Sequence, residues 1–146
     1  MAATSPEFVN EIFRLIEQLI PIYMENPDDK RISNGNVAVC MIDEEGVVFG
    51  KVFGTNKPRG RESYSVAWKK ASQVWLTGMK TGAYERKVFN GEIAENAHGI
   101  EAPDLIGWEG GQPLTRKNGS VLSVGFSGFR GISDIEIMFR ALEKSE

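Results

Sequence analysis

The sequence predicts an α+β domain with a mainly antiparallel sheet, built of two hairpins flanked by helices. Three observations predict it. Two pairs of short β-rich segments are each joined by a tight-turn signal, Asp43-Glu44-Glu45-Gly46 in the first and Asn118-Gly119 in the second. Stretches with apolar residues three and four apart come before, between and after these pairs, which is the helical period. The resulting order is helix, hairpin, helix, short helix, long loop, hairpin, helix. It lacks the strand-helix alternation of a doubly wound parallel sheet.

The first helix is announced by Thr4-Ser5-Pro6-Glu7, a hydroxyl cap followed by proline in the first turn and an acid at the positive end of the dipole. Phe8, Ile12, Leu15, Ile16 and Leu19 share one face as far as about Ile20, and Pro21 should end or kink the helix. Asn26-Pro27-Asp28-Asp29 and Asn34-Gly35-Asn36 read as an exposed connection. Residues 37–42 and 47–53 form the first hairpin. A loop over 55–61 carries Lys57, Arg59 and Arg61, and a helix should start near Ser63 and run to about Thr77. Its Ala67, Ala71 and Val74 face suits close packing on a sheet, with Trp68, Ser72 and Trp75 forming an adjacent stripe.

Gly78 and Gly82 should break that helix, leaving a turn or two over 84–90. Residues 92–112 have no periodicity, but their Ile93, Ile100, Leu105, Ile106 and Trp108 suit a packed loop. Unstructured stretches of this length in compact domains tend to carry function. The second hairpin pairs 112–117 with 120–126 through a two-residue type I′ turn at Asn118-Gly119. Leu122, Val124 and Phe126 point to one face, Val121, Ser123, Gly125 and Ser127 to the other. Ser133 and Glu136 have capping-box spacing for the last helix, with Ile135, Met138, Phe139 and Leu142 as its stripe.

Composition narrows the function. The 146 residues suit a single domain, and 41% apolar content with a net charge of −3 suits a folded cytoplasmic protein. Cys40 is the one cysteine, which excludes a disulfide framework and a cysteine-based metal cluster. Glu11, Arg14 and Glu17 interrupt the first apolar stretch, so a secretory signal is not expected, and no segment reads as a membrane span. Between residues 47 and 84 seven basic side chains face one acid, Glu62, which makes this segment the natural place for an anionic ligand or, more plainly, a solvated face. No aromatic and basic motif for nucleic acid accompanies it.

Candidate residues follow from chemistry. His98 is the lone histidine: a haem or metal ligand, a general acid or base, or a packing residue. No second histidine or carboxylate stands at ligand spacing, so no metal site is assigned. Tyr23, Tyr64 and Tyr84 are the tyrosines available for ligation or proton transfer, and Tyr64 is taken as the candidate. Glu109 beside Trp108 suits proton transfer if the indole desolvates it. Gly110-Gly111 lets backbone N–H groups approach an oxygen, or simply admits a strand. Ser127-Gly128, at the step from strand to helix, offers backbone donors, with Arg130 as a carboxylate or phosphate clamp or as the partner of an acid. In the basic segment Arg59, Arg61, Lys69 and the adjacent Trp68 are the candidate ligand-binding side chains.

One combination of motifs is similar to a known family. The hairpin around Asp43-Glu44-Glu45-Gly46, the helical Trp68-Lys69-Lys70-Ala71, Gly110-Gly111-Gln112-Pro113-Leu114, Asn118-Gly119, and Val124-Gly125-Phe126-Ser127-Gly128 followed by Asp134 together resemble the GlcG/HbpS-like family, also called haem-degrading or DUF336 and including the PduO C-terminal domain. The resemblance spans about residues 8–143. It implies a profilin-like arrangement assembled into dimers or higher oligomers, with haem or iron bound in some members. The expected protein is thus a cytoplasmic homo-oligomer that binds a haem-like tetrapyrrole or another anionic organic molecule between subunits. The alternative is a cofactor-free isomerase, lyase or cyclase using His98, Glu109, Arg130 and Tyr64.

Overall fold

The computed structural model describes residues 4–146. Nine elements follow in order: α1 (Pro6–Tyr23), α2 (Pro27–Ser33), β1 (Ala38–Ile42), β2 (Val48–Val52), α3 (Lys57–Thr77), α4 (Thr81–Phe89), β3 (Gly111–Thr115), β4 (Val121–Ser127) and α5 (Gly131–Ser145). The expected α+β class is observed. Both hairpins form, and they join through β1 and β4 into one antiparallel sheet of order β2-β1-β4-β3, with Ala38 opposite Ser127 and Ile42 opposite Ser123.

The alternation of side chains along β1 and β4 decides which helix covers which face. Val37, Val39 and Met41 join Leu122, Val124 and Phe126 beneath α1 and α5, where Ile12, Ile16, Leu19, Ile137 and Met138 complete the main core. The opposite face presents Ala38, Cys40, Ile42 and Gly125, and α3 lies directly on it through Ala67 and Ala71. A Cβ on Gly125 would collide with the Ala67 carbonyl oxygen and stand 2.7 Å from the Ala71 nitrogen. The small residues of that face therefore let a helix backbone approach the sheet.

Several local expectations are corrected. Pro21 does not end α1, which continues to Tyr23; proline removes one hydrogen bond near the end of the helix, and Tyr23 is held there by stacking on Phe129 and by its hydroxyl donating to Glu136. The supposed exposed connection contains α2: the Asn26 side chain accepts from the N–H groups of Asp28 and Asp29, Pro27 opens the first turn, and Asn34 closes the helix at φ 46°. Its turn-like residues are helix punctuation.

The same reason moves the start of α3. Asn56 caps it by accepting from the Arg59 N–H, so Lys57, Arg59 and Arg61 are helical rather than in a loop. Gly78 ends α3 in the left-handed region, but Gly82 lies within α4.

The β3–β4 turn is not a two-residue type I′ turn. The N–H of Arg116 donates to the Ser120 carbonyl and that of Gly119 to the Arg116 carbonyl, so residues 117–119 form the loop and only Gly119 has positive φ. The Asn118 carboxamide accepts from both Ser120 N–H and hydroxyl, which holds it in its ordinary conformation.

At α5 no capping box forms. Ser133 donates instead to Asp29 and Glu136 accepts from Tyr23, while Arg130 occupies the cap position with no side-chain bond to the N–H groups of the first turn. The buried stripe comprises Ile137, Met138, Ala141 and Leu142, leaving Phe139 54% exposed and Ile135 half-buried.

Candidate functional site

The first two thirds of α3 carry Arg59, Ser63, Val66 and Lys70 at spacings of four, three and four, which stacks them along one edge of the helix. That edge faces the corner where β4 runs into α5, and between them opens a cavity of about 500 Å³. Ser127, Gly128 and Phe129 line it from the corner, Asp134 from the first turn of α5, and Trp108 and Glu109 from the loop before β3.

Gly128 adopts φ +130°, and a Cβ there would press on the backbone of Asn36 and Val37. The sharp turn at the end of β4 is thus a glycine position.

The loop is fastened to the helices. The Gln73 carboxamide donates to the Ile106 carbonyl and accepts from the Ile106 N–H, each at 2.8 Å. Thr81 donates to the Trp108 carbonyl at 2.6 Å. Trp108 itself is 67% exposed at the rim. Arg59 donates to the Ile32 carbonyl at 2.5 Å and has no ion-pair partner among the described residues.

The chemistry of the cavity centres on Lys70 and Asp134, each only 2% exposed. The Lys70 amine donates to the Phe126 carbonyl at 2.8 Å and to Asp134 Oδ2 at 3.3 Å, while Oδ1 accepts from the Phe129 N–H at 3.0 Å. Burial pushes the Asp134 carboxyl up to about 8, against the opposing pull of Lys70 and of the Phe129 N–H. Burial likewise lowers the Lys70 amine, opposed by Asp134 and then by Glu109. Desolvation disfavours both charges, raising the carboxyl and lowering the amine, so the two groups are displaced toward each other in proton affinity.

The sequence candidates distribute unevenly. Arg59, Glu109, Ser127 and Gly128 meet at this cavity. Gly110 borders it: a Cβ there would stand 2.7 Å from the Lys70 amine, so its bare backbone is what admits the lysine to the Phe126 carbonyl. Gly111 is the first residue of β3, packed on Thr81 and opposite Gly125.

Arg130 is engaged elsewhere. Its Nε and Nη2 donate to the two oxygens of Asp29 at 3.1 and 3.2 Å, and its N–H donates to Oδ1 at 2.9 Å. His98 lies outside the cavity lining, with Nδ1 at 3.0 Å from the hydroxyl of buried Tyr84. Tyr64 donates to Cys40 Sγ at 3.7 Å, and burial pushes its hydroxyl up to about 12; with Arg61 it lines a separate depression. Trp68 and Lys69 line another groove with Trp75, Leu76 and Ile100, where Lys69 is 3.4 Å from Asp104.

The residues that sequence reasoning passed over are Lys70 as a buried group and Asp134 as its partner. The signal was a lysine inside the Ala67, Ala71, Val74 stripe, where a charge requires a partner.

With this geometry the class is defined: the chain has the GlcG/HbpS-like, DUF336 fold. No family model matches the sequence, and no curated protein is significantly similar to it. Solved structures are. A double mutant of HbpS from Streptomyces reticuli has a TM-score of 0.69 at 17% identity, covering 99% of this chain and 88% of that one. The protein ORFY of Klebsiella pneumoniae, described as DUF336, has a TM-score of 0.67 at 15% identity, with 99% and 96% covered. A PduOC complex with haem has a TM-score of 0.63 at 20% identity, with 97% and 94% covered. No described helix is long and apolar enough to cross a membrane.

Proposed function

We propose that this chain is a small-molecule-binding protein that takes a carboxylate-bearing organic ligand in the cavity between α3 and the β4–α5 corner. The observation that carries this reading is Arg59, a guanidinium on the cavity wall whose one bond is to a backbone carbonyl. A planar fork of donors suits a carboxylate. Beside it stand the Ser127 side chain and the Trp108 indole at the rim.

Haem is the ligand named for the PduOC complex. The cavity lining of this chain contains no His, Cys, Met or Tyr, the side chains that usually hold haem iron. The donor set therefore does not fit a haem anchored through its metal, and the reading rests on the carboxylates of the ligand. The chain is also proposed to assemble with copies of itself, since Trp68, Trp75 and Leu76 leave contiguous apolar surface along α3.

The test compares haemin with metal-free protoporphyrin IX and with small mono- and dicarboxylates, following quenching of tryptophan fluorescence. Carboxylate-driven binding takes both porphyrins alike, is saturable, and weakens about tenfold or more in Arg59→Gln, the loss expected for one charge-assisted contact. Saturable binding of haemin alone would assign recognition to the metal. Absence of saturable quenching by every carboxylate would end the reading.

A second reading, a cofactor-free isomerase, lyase or cyclase, is favoured by the Lys70–Asp134 pair, whose groups are displaced toward each other in proton affinity beside the same cavity.

A further inference from the structure

We propose that Lys70 is a reactive amine that condenses with the carbonyl group of an aldehyde or ketone carrying a carboxylate, forming an imine in the cavity with Asp134 carrying the protons. The proposal rests on the carboxylate reading of Arg59 and adds to it the chemical class of the group at the other end of the ligand.

The geometry provides the parts. An ammonium has three N–H groups and a neutral amine two N–H groups and a lone pair. The described residues give the Lys70 nitrogen two partners, the Phe126 carbonyl and Asp134 Oδ2. One valence is thus free to meet a ligand in the cavity that Lys70 lines. The 3.3 Å to Oδ2 is longer than the 2.7–2.9 Å of a compact charge-assisted bond.

Burial on this scale favours the neutral amine, the form with a nucleophilic lone pair. The charged groups around the pair are Glu109 beside Lys70, Asp29 toward Asp134, and Arg59 and Glu62 on the cavity wall. Arg59 lies eleven residues before Lys70 on the same edge of α3, about 16 Å at the rise of a helix. It therefore reaches the carboxylate of a ligand whose carbonyl lies toward Lys70.

The reaction balances without an oxidant or reductant. The amine lone pair attacks the carbonyl carbon, a C–N bond forms, and the C=O π pair moves to oxygen, which takes the proton of the Asp134 carboxylic acid. Asp134, now a carboxylate, removes a proton from nitrogen. It returns that proton to the hydroxyl, which leaves as water while the nitrogen lone pair closes the C=N bond. Nitrogen is left as a protonated imine, and the Asp134 carboxylate takes that last proton and is restored to the acid, so that carbonyl compound and amine become imine and water with every proton carried by the pair.

The test treats the full chain with a series of ω-oxo carboxylates of increasing length, from glyoxylate to 6-oxohexanoate, each with sodium cyanoborohydride near neutral pH, and maps the adduct by peptide mass spectrometry. The chain has nine lysines, most of them on the surface. The expected result is an adduct at Lys70 formed about tenfold or more faster than at any other lysine, slowed in Asp134→Asn and absent in Lys70→Arg, which keeps a donor for Phe126 and Asp134. Adducts spread over surface lysines with Lys70 unmodified would overturn the imine. Saturable quenching by members of the series without a Lys70 adduct from any of them would overturn it while leaving the carboxylate reading intact, and no saturable quenching by any member would remove both. Should Lys70→Arg fail to fold, the map of the unaltered chain decides alone.

Discussion

Asp29 is fully buried, yet its carboxylate accepts from the Arg130 N–H, the Arg130 guanidinium and the Ser133 hydroxyl, tying α2 to the start of α5. Burial pushes this carboxyl up, but the bonds from Arg130 and Ser133 outweigh it, and the group lies below the usual carboxylate range. A folded value below the unfolded one means stability that is present above the ordinary aspartate range and lost as pH falls through the folded value. The melting temperature should therefore drop steeply below about pH 4. Asp29→Asn should lower the neutral-pH plateau by about 2–4 kcal/mol, since it strands the half-exposed Arg130 and the buried Ser133 hydroxyl. Parallel melting profiles for the two proteins between pH 3 and 7 would contradict this role. The sequence offered Arg130 either as a ligand clamp or as the partner of an acid, and that acid stands 101 residues upstream. Only tertiary structure could name it. Lys70 was passed over, and even an apolar stripe broken by a lysine does not say which carboxylate answers it.

Periodicity and small-residue patterns carried most of what was legible about the elements. The bare face of β4 was readable, and so was the Ala67 and Ala71 face of α3; that each meets the other follows from two surfaces needing the same close approach. Gly125→Ala tests that contact. Its methyl would enter the Ala67 carbonyl and stand 2.9 Å from Lys70 Cβ, so the helix must lift from the sheet. Urea unfolding should report a loss of about 3 kcal/mol, the upper part of the overpacking range. A loss below about 0.5 kcal/mol, the usual limit for surface substitutions, would show that α3 yields freely. The illegible elements were those whose caps double as turn residues. Asn26-Pro27-Asp28-Asp29 opening α2 and Asn56-Lys57-Pro58 opening α3 suit a loop as well as a helix start, and which one forms depends on whether the next turn has something to bury.

For the molecule as a whole, the exposed Trp68, Trp75 and Leu76 lead us to expect self-association. Light scattering at micromolar concentration should give a multiple of the 16.2 kDa chain, and charge introduced as Leu76→Glu should shift it toward the monomer. A monomer mass for the unaltered chain would refute the expectation. The fold class was readable because the order of elements leaves few ways to pair two hairpins. The cavity was not, because its walls come from residues 59–70, 108–109 and 127–134, brought together only by the strand order. That order, β2-β1-β4-β3, has a further effect on how the chain acquires its shape. The central pairing joins residues 38–42 to 123–127, and the apolar stripe of α1 finds its cover in α5. While the protein is being made, its first amphipathic helix and first hairpin must wait, solvated and unpartnered, until β4 and α5 have left the ribosome. Folding is then governed by the slow closure of long loops rather than by local contacts, and the nascent chain is a natural client for chaperones that shield apolar segments.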